Sequence, residues 1–128
     1  MGKKKVLIVD DDPSYAKLVR GWLREDYEVF VLVKGKQVAG FLSKHNVDLI
    51  LLDYEMPEMK GTEVFEILRK EEAFREIPVM FLTGTNSREV LAQIESLHAA
   101  GYITKNKTMA ELNQKLADFF SSQNEGRG

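Results

Sequence analysis

The chain has 128 residues, with 18 Lys and Arg against 20 Asp and Glu and no Cys, a formal charge of −2. That length suits one domain, able to bury about two-thirds of its unfolded surface in a single core. The missing Cys exclude a disulfide scaffold, a thiol nucleophile and a zinc–thiolate site, and the charge balance argues against direct nucleic-acid binding, which needs a basic stripe to displace counterions.

In chain order, Lys3-Lys4-Lys5 leads into Val6-Leu7-Ile8-Val9, which ends at once in Asp10-Asp11-Asp12. That run is too short for a secretory signal and reads as a strand. Asp12 and Pro13 mark a helix start, and Tyr15, Leu18, Val19, Trp22 and Leu23 come next at the spacing of one helical stripe. Val29 to Val33 is a second strand, and Val38, Phe41 and Leu42 mark a short second helix. Leu49 to Leu52 and Val79 to Leu82 are further strands, with a helix carrying Val64, Phe65 and Leu68 between them. Val90, Leu91, Ile94 and Leu97 mark a fourth helix, and Gly101-Tyr102-Ile103-Thr104 a weaker fifth strand. Met109, Leu112, Leu116, Phe119 and Phe120 form the last helix, with Thr108 as its cap.

The strand runs are almost continuously apolar, as expected of strands covered on both faces. Their alternation with helices predicts a doubly wound α/β domain with a parallel sheet and right-handed crossovers. The polar, Gly-ended segment from Ser121 is expected to leave the last helix, giving a domain over 1–122 and a flexible tail over 123–128. No apolar run approaches the ~20 residues that cross a bilayer, so no membrane partner and a cytoplasmic location are expected.

In an open parallel sheet, functional groups gather beyond the carboxyl ends of the strands. The first strand run leads into Asp10-Asp11-Asp12, the third into Asp53, the fourth into Thr83 and the fifth into Lys105. Carboxylates on neighbouring strands repel one another, and a divalent cation relieves that repulsion. An all-oxygen set suits Mg²⁺, which binds through one or two carboxylates, waters and a phosphate. Lys105 can reach a phosphoryl oxygen as a point charge, and a carboxylate is a competent nucleophile toward phosphorus. The two histidines, His45 and His98, come after no strand and lie far from these acids in sequence.

Four motifs carry a family resemblance: Leu7-Ile8-Val9-Asp10-Asp11-Asp12-Pro13, Asp53-Tyr54-Glu55-Met56-Pro57-Glu58-Met59-Lys60-Gly61, Phe81-Leu82-Thr83-Gly84 and Gly101-Tyr102-Ile103-Thr104-Lys105. In that order the chain resembles, from about Lys4 to Phe120, the receiver domain of two-component response regulators, of the single-domain kind. The resemblance implies a flavodoxin-like sheet of order 2-1-3-4-5 with five helices on two faces. It implies Asp53 as phospho-acceptor, Asp10 and Asp11 as the acid pair, and the backbone carbonyl of Glu55 as a further Mg²⁺ ligand. Thr83 would follow the phosphoryl group and Lys105 would pair with it. Tyr102 matches an aromatic position that tracks activation, though packing at the sheet edge explains it equally well.

Implied partners are a histidine kinase as phosphodonor and an effector or relay protein docking on the face made by the fourth helix, fifth strand and fifth helix. The chain would act as a monomer or as a phosphorylation-dependent dimer. It would catalyse only its own phosphorylation and dephosphorylation. Three features depart from the pattern or blur it, one of them Gly84 after Thr83, which keeps the site open but loosens the loop. Asn106 stands where the family usually has Pro after the lysine; a cis bond to Asn would cost about 2.5–4 kcal/mol, so a trans bond is expected. Asp12 makes the acid pair ambiguous by one residue, and Asp12-Pro13 as a helix start favours Asp10 and Asp11. Two other readings compete. One is a Mg²⁺-dependent phosphohydrolase with an aspartyl-phosphate, in which Glu55, two residues after Asp53, is the acid/base. The other is an interaction module that keeps the fold without phosphorylation. A complete chain would dock through its own surface or relay phosphate onward; a piece of a longer regulator would pass the signal to its fused part.

Overall fold

In the computed structural model, which describes residues 2–127, the apolar runs become β1 (Lys4–Val9), β2 (Tyr27–Leu32), β3 (Leu49–Asp53), β4 (Val79–Thr83) and β5 (Gly101–Thr104). Helices α1 (Pro13–Leu23), α2 (Val38–Leu42), α3 (Gly61–Lys70), α4 (Arg88–Ser96) and α5 (Met109–Arg127) alternate with them, and a 3-10 turn at Gly35–Gln37 leads into α2. Every strand pairing is parallel, and the order is β2-β1-β3-β4-β5.

Period-2 alternation along the strands divides the core into two layers. Val6, Ile8, Leu49, Leu51, Leu82 and Ile103 face α1 and α5, where Val19, Leu23, Leu112 and Leu116 meet them. Leu7, Val9, Ile50, Leu52 and Phe81 face the other way, against Val38 of α2, Val64, Phe65 and Leu68 of α3, and Ile94 of α4. Both faces are covered, which is why the runs carry almost no polar residue. Each fully buried Leu or Ile contributes about 1.5–3 kcal/mol from apolar burial. Among the described residues, no helix is long and apolar enough to cross a membrane.

Several boundaries differ from the sequence expectation: β1 starts at Lys4, two residues before Val6, and β3 and β4 each run one residue further, to Asp53 and Thr83. The second strand starts at Tyr27, two residues before Val29, because the register pairs Tyr27 and Glu28 with Lys4 and Lys5 of β1. Backbone pairing at this edge recruits Glu28, whose side chain stays exposed, while Tyr27 is buried in the α1–α5 layer. The strand also ends at Leu32, leaving Val33 39% exposed. The last helix continues past Ser121 to Arg127, so the expected tail is helical through Arg127; Gly128 lies outside the described residues. Helix propagation adds one backbone hydrogen bond per residue and needs no apolar side chain, so a hydrophobic pattern marks its end too early.

The helix caps arise from side-chain chemistry. Asp12 Oδ1 accepts from the backbone N–H groups of Ser14 (3.0 Å) and Tyr15 (3.3 Å). Thr108 Oγ1 accepts from the Glu111 N–H at 3.2 Å while Glu111 Oε1 accepts from the Thr108 N–H at 3.0 Å, a reciprocal capping box on α5. Replacing Asp12 by Ala removes acceptors for two otherwise unpaired donors. Asp12→Ala is expected to lower unfolding free energy by about 1 kcal/mol. A shifted denaturant midpoint with an unchanged slope would be the measurement.

Candidate functional site

The order of the sheet reverses at β1 and β3, which pair with Val9 opposite Leu52. The next residues in each chain segment, Asp10 and Asp53, therefore emerge side by side at the switch point, where such folds place their ligands. Asp10 is fully buried and Asp53 is 2% exposed, whereas Asp11 faces solvent. One carboxylate oxygen each from Asp10, Asp11 and Asp53 lies within 4.8 Å of the others. Lys105, just beyond β5, brings its Nζ to 2.8 Å from Asp10 Oδ2 and 3.3 Å from Asp53 Oδ1. The three acids and the lysine meet although 95 residues of sequence separate Asp10 from Lys105.

Electrostatics show what this crowding costs. Burial, then the adjoining Asp11 carboxyl and the Asp10 charge, push the Asp53 carboxyl up from 3.8 to about 7, against the opposing pull of Lys105. Burial alone would lower the Lys105 ammonium, but its bonds and charge interactions with Asp10 and Asp53 outweigh this and raise it. The lysine is a fixed cation in an acid-rich recess. Asp10 Oδ1 accepts from the Asp12 N–H at 2.9 Å. Buried Oδ2 meets the Lys105 ammonium but accepts no well-aligned hydrogen bond. A buried carboxylate oxygen with spare capacity, in an all-oxygen set that repels itself, fits a hard divalent cation.

The other expected residues occupy distinct places. Glu55 is exposed and meets the site through its backbone, its N–H donating to Asp53 Oδ1 at 3.3 Å. Thr83 is buried at the end of β4, next to β3 in the sheet. Its hydroxyl is engaged in its own loop: it donates to the Thr85 carbonyl (2.9 Å) and accepts from the Thr85 N–H (3.2 Å). The Thr83 carbonyl accepts from the Lys105 N–H at 2.8 Å, tying the two loops together. Tyr102 is half-buried and packs against the α2–α4 layer, with Lys115 Nζ 5.8 Å from its ring centroid. Asp12 is occupied as the cap of α1. No cis peptide bond occurs among the described residues, so Lys105–Asn106 is trans.

Three contacts carry little or no signal in the sequence. Tyr15, visible there only as one member of an apolar stripe, lays its ring 4.9 Å from Lys105 Nζ. The Tyr54 hydroxyl donates to Gln93 Oε1, linking the residue after Asp53 to α4. Gly61 packs directly on the backbone of Asp53 and Tyr54. For Gly61 the sequence signal is a Gly at the head of a helix that comes after a motif loop.

The sequence profile of the response regulator receiver domain matches residues 6–117, and the chain belongs to this family of two-component signalling proteins. It is 31% identical over 120 residues to the transcriptional regulatory protein CrdR of Helicobacter pylori, covering 93% of this chain and 56% of that protein. It is 31% identical over 117 residues to the CAI-1 autoinducer sensor kinase/phosphatase CqsS of Vibrio cholerae, of which it spans 17%. The chemotaxis protein CheY-3 of the same organism is 30% identical over 118 residues, covering 91% of each chain. The solved structure of V. cholerae CheY4 superposes with a TM-score of 0.84 at 28% identity, over 92% of this chain and 99% of that one.

Proposed function

We propose that the chain is a phosphorylation switch that takes a phosphoryl group from a phosphohistidine of a histidine kinase onto Asp53. A carboxylate oxygen of Asp53 bonds to phosphorus as the phosphorus–nitrogen bond breaks, and imidazole leaves. The observation that carries this reading is the placement of Asp53, between Asp10, Asp11 and the Lys105 ammonium, 3.3 Å from the last. Asp10, Asp11, Asp53 and the Glu55 backbone carbonyl would hold Mg²⁺. That ion would neutralise charge on the transferring oxygens and offset the repulsion among the acids. Lys105 would pair with a phosphoryl oxygen. A kinase that builds phosphohistidine draws on ATP, which puts the exchange in the cytoplasm.

The product adds charge, about −1.5 to −2 where −1 stood, by analogy with other phosphorylated side chains. The Thr83 hydroxyl then exchanges Thr85 for a phosphoryl oxygen, the loop after β4 shifts, and Tyr102 repacks. The face formed by α4, β5 and α5 changes its preference for an effector or relay partner, or for a second copy of the chain. Each packing needs its own contacts for the phosphoryl group to shift the balance between them.

Incubation with Mg²⁺ and a small acyl phosphate, then intact mass spectrometry, tests the reading. One phosphoryl adduct is expected on the parent and none on Asp53→Asn. Equal labelling of the two would remove Asp53 as acceptor. Sustained release of phosphate from monoesters would replace the switch with a phosphohydrolase.

A further inference from the structure

The Lys105 side chain is anchored at its backbone by the bond from its N–H to the Thr83 carbonyl. Beyond that anchor lies a flexible four-carbon stem, and the next residue gives no guidance to it. Asn106 turns back on the strand, its Oδ1 accepting from the Thr104 hydroxyl at 2.7 Å. The ammonium is therefore placed by what it touches. It meets Asp10 Oδ2 and Asp53 Oδ1, and it lies over the ring of Tyr15, 4.9 Å from the centroid.

Tyr15 is well held for this task. It sits in the first turn of α1, where Pro13 sets the backbone and its own N–H bonds to the Asp12 cap. Its ring packs against the α1–α5 core layer. An aromatic face within about 6 Å attracts a cation through its quadrupole, but it accepts no proton and offers no lone pair. A carboxylate in the same place would compete for the ammonium with an incoming phosphoryl oxygen. The ring restrains the head while leaving its donors free for the acids and for the transferred group.

We propose that Tyr15 is a positioning residue for phosphoryl transfer: its ring walls the Lys105 ammonium against Asp10 and Asp53 so that it faces the phosphoryl oxygens. This rests on the reading of Asp53 as phospho-acceptor. In its absence the ammonium samples solvent, and the fraction of molecules with a correctly placed cation falls.

The test measures labelling by a small acyl phosphate at saturating Mg²⁺ in four variants: Tyr15→Phe, Tyr15→Leu, Lys105→Met, and Tyr15→Leu combined with Lys105→Met. Tyr15→Leu is expected to slow the saturated labelling rate about fivefold, the value of a partly exposed cation–π contact. Tyr15→Phe keeps the ring and should stay within about twofold of the parent. In the Lys105→Met background, Tyr15→Leu should have no further effect, because a residue acting through the lysine is silent once the lysine is gone. NMR of the Lys105 side chain should show ring-current-shifted Hε protons in the parent and Tyr15→Phe, and unshifted ones in Tyr15→Leu. Parent-rate labelling by Tyr15→Leu, or an equal loss with and without Lys105, would overturn the proposal. If the parent itself takes no label, the phospho-acceptor reading falls instead, and unshifted Hε protons in the parent would bring down the placement of the ring as well.

Discussion

Asp53→Asn is expected to stabilise the metal-free protein by about 4 kcal/mol at pH 8, with the gain vanishing near pH 4. Burial, Asp11 and Asp10 hold the folded-state carboxyl at about 7, against an ordinary value of 3.8. Below about pH 4 the group is protonated in both states and costs nothing. Between there and about 7 the unfolded chain releases the proton while the folded chain retains it, so stability falls as pH rises, and the loss is complete above about 7. An amide carries no charge and escapes this penalty. In a domain of this size the difference is a melting temperature raised by roughly 15 °C at pH 8. Mg²⁺ should raise the melting temperature of the parent at pH 8 much more than that of Asp53→Asn, since the variant has already lost one of the repelling charges. Calorimetry at pH 5 and pH 8, with chelator and with Mg²⁺, reads all four states. A variant less stable than the parent at pH 8 would mean that Lys105 already balances the acids without a metal.

Gly61→Ala is expected to damage both fold and site. A Cβ at this position would overlap the Asp53 carbonyl oxygen and lie 3.1 Å from both the Asp53 carbonyl carbon and Tyr54 Cα. All three are backbone atoms at the end of β3, so no rotamer change relieves the clash. The backbone comes this close because the Gly61 N–H donates to the Tyr54 carbonyl at 3.2 Å, docking the start of α3 on the strand end. Forcing them apart costs about 1–3 kcal/mol as overpacking and displaces the carboxyl of Asp53 from Lys105 and the acids. The expected result is a lower denaturant midpoint together with slower acyl-phosphate labelling at a temperature where the variant remains folded. Loss of stability with a parental labelling rate would show that β3 yields without moving its carboxylate.

Much of the domain was legible in the chain because burial on both faces leaves a strong mark. The continuous runs at Val6 to Val9 and Leu49 to Leu52 can be strands only in a sheet covered twice. The residues after them are where such a sheet places its chemistry. Asp10, Asp53, Thr83 and Lys105 were found in that way, and four motifs in fixed order pointed to the family. Boundaries fared worse where side-chain polarity and backbone pairing part company. Lys4, Lys5 and Glu28 join the sheet through the register of β1 with β2, and α5 runs on to Arg127.

Periodicity and the types of residue at strand ends thus determined the architecture and the chemical inventory, since both derive from local patterns of burial and charge. What only the folded chain decided was contact across it. Which of three consecutive aspartates turns inward, the ring of Tyr15 over Lys105, the tie from Tyr54 to Gln93 and the absence of room at Gly61 all depend on side-chain directions set by packing. Sequence spacing carries no information about such meetings between residues that are far apart along the chain.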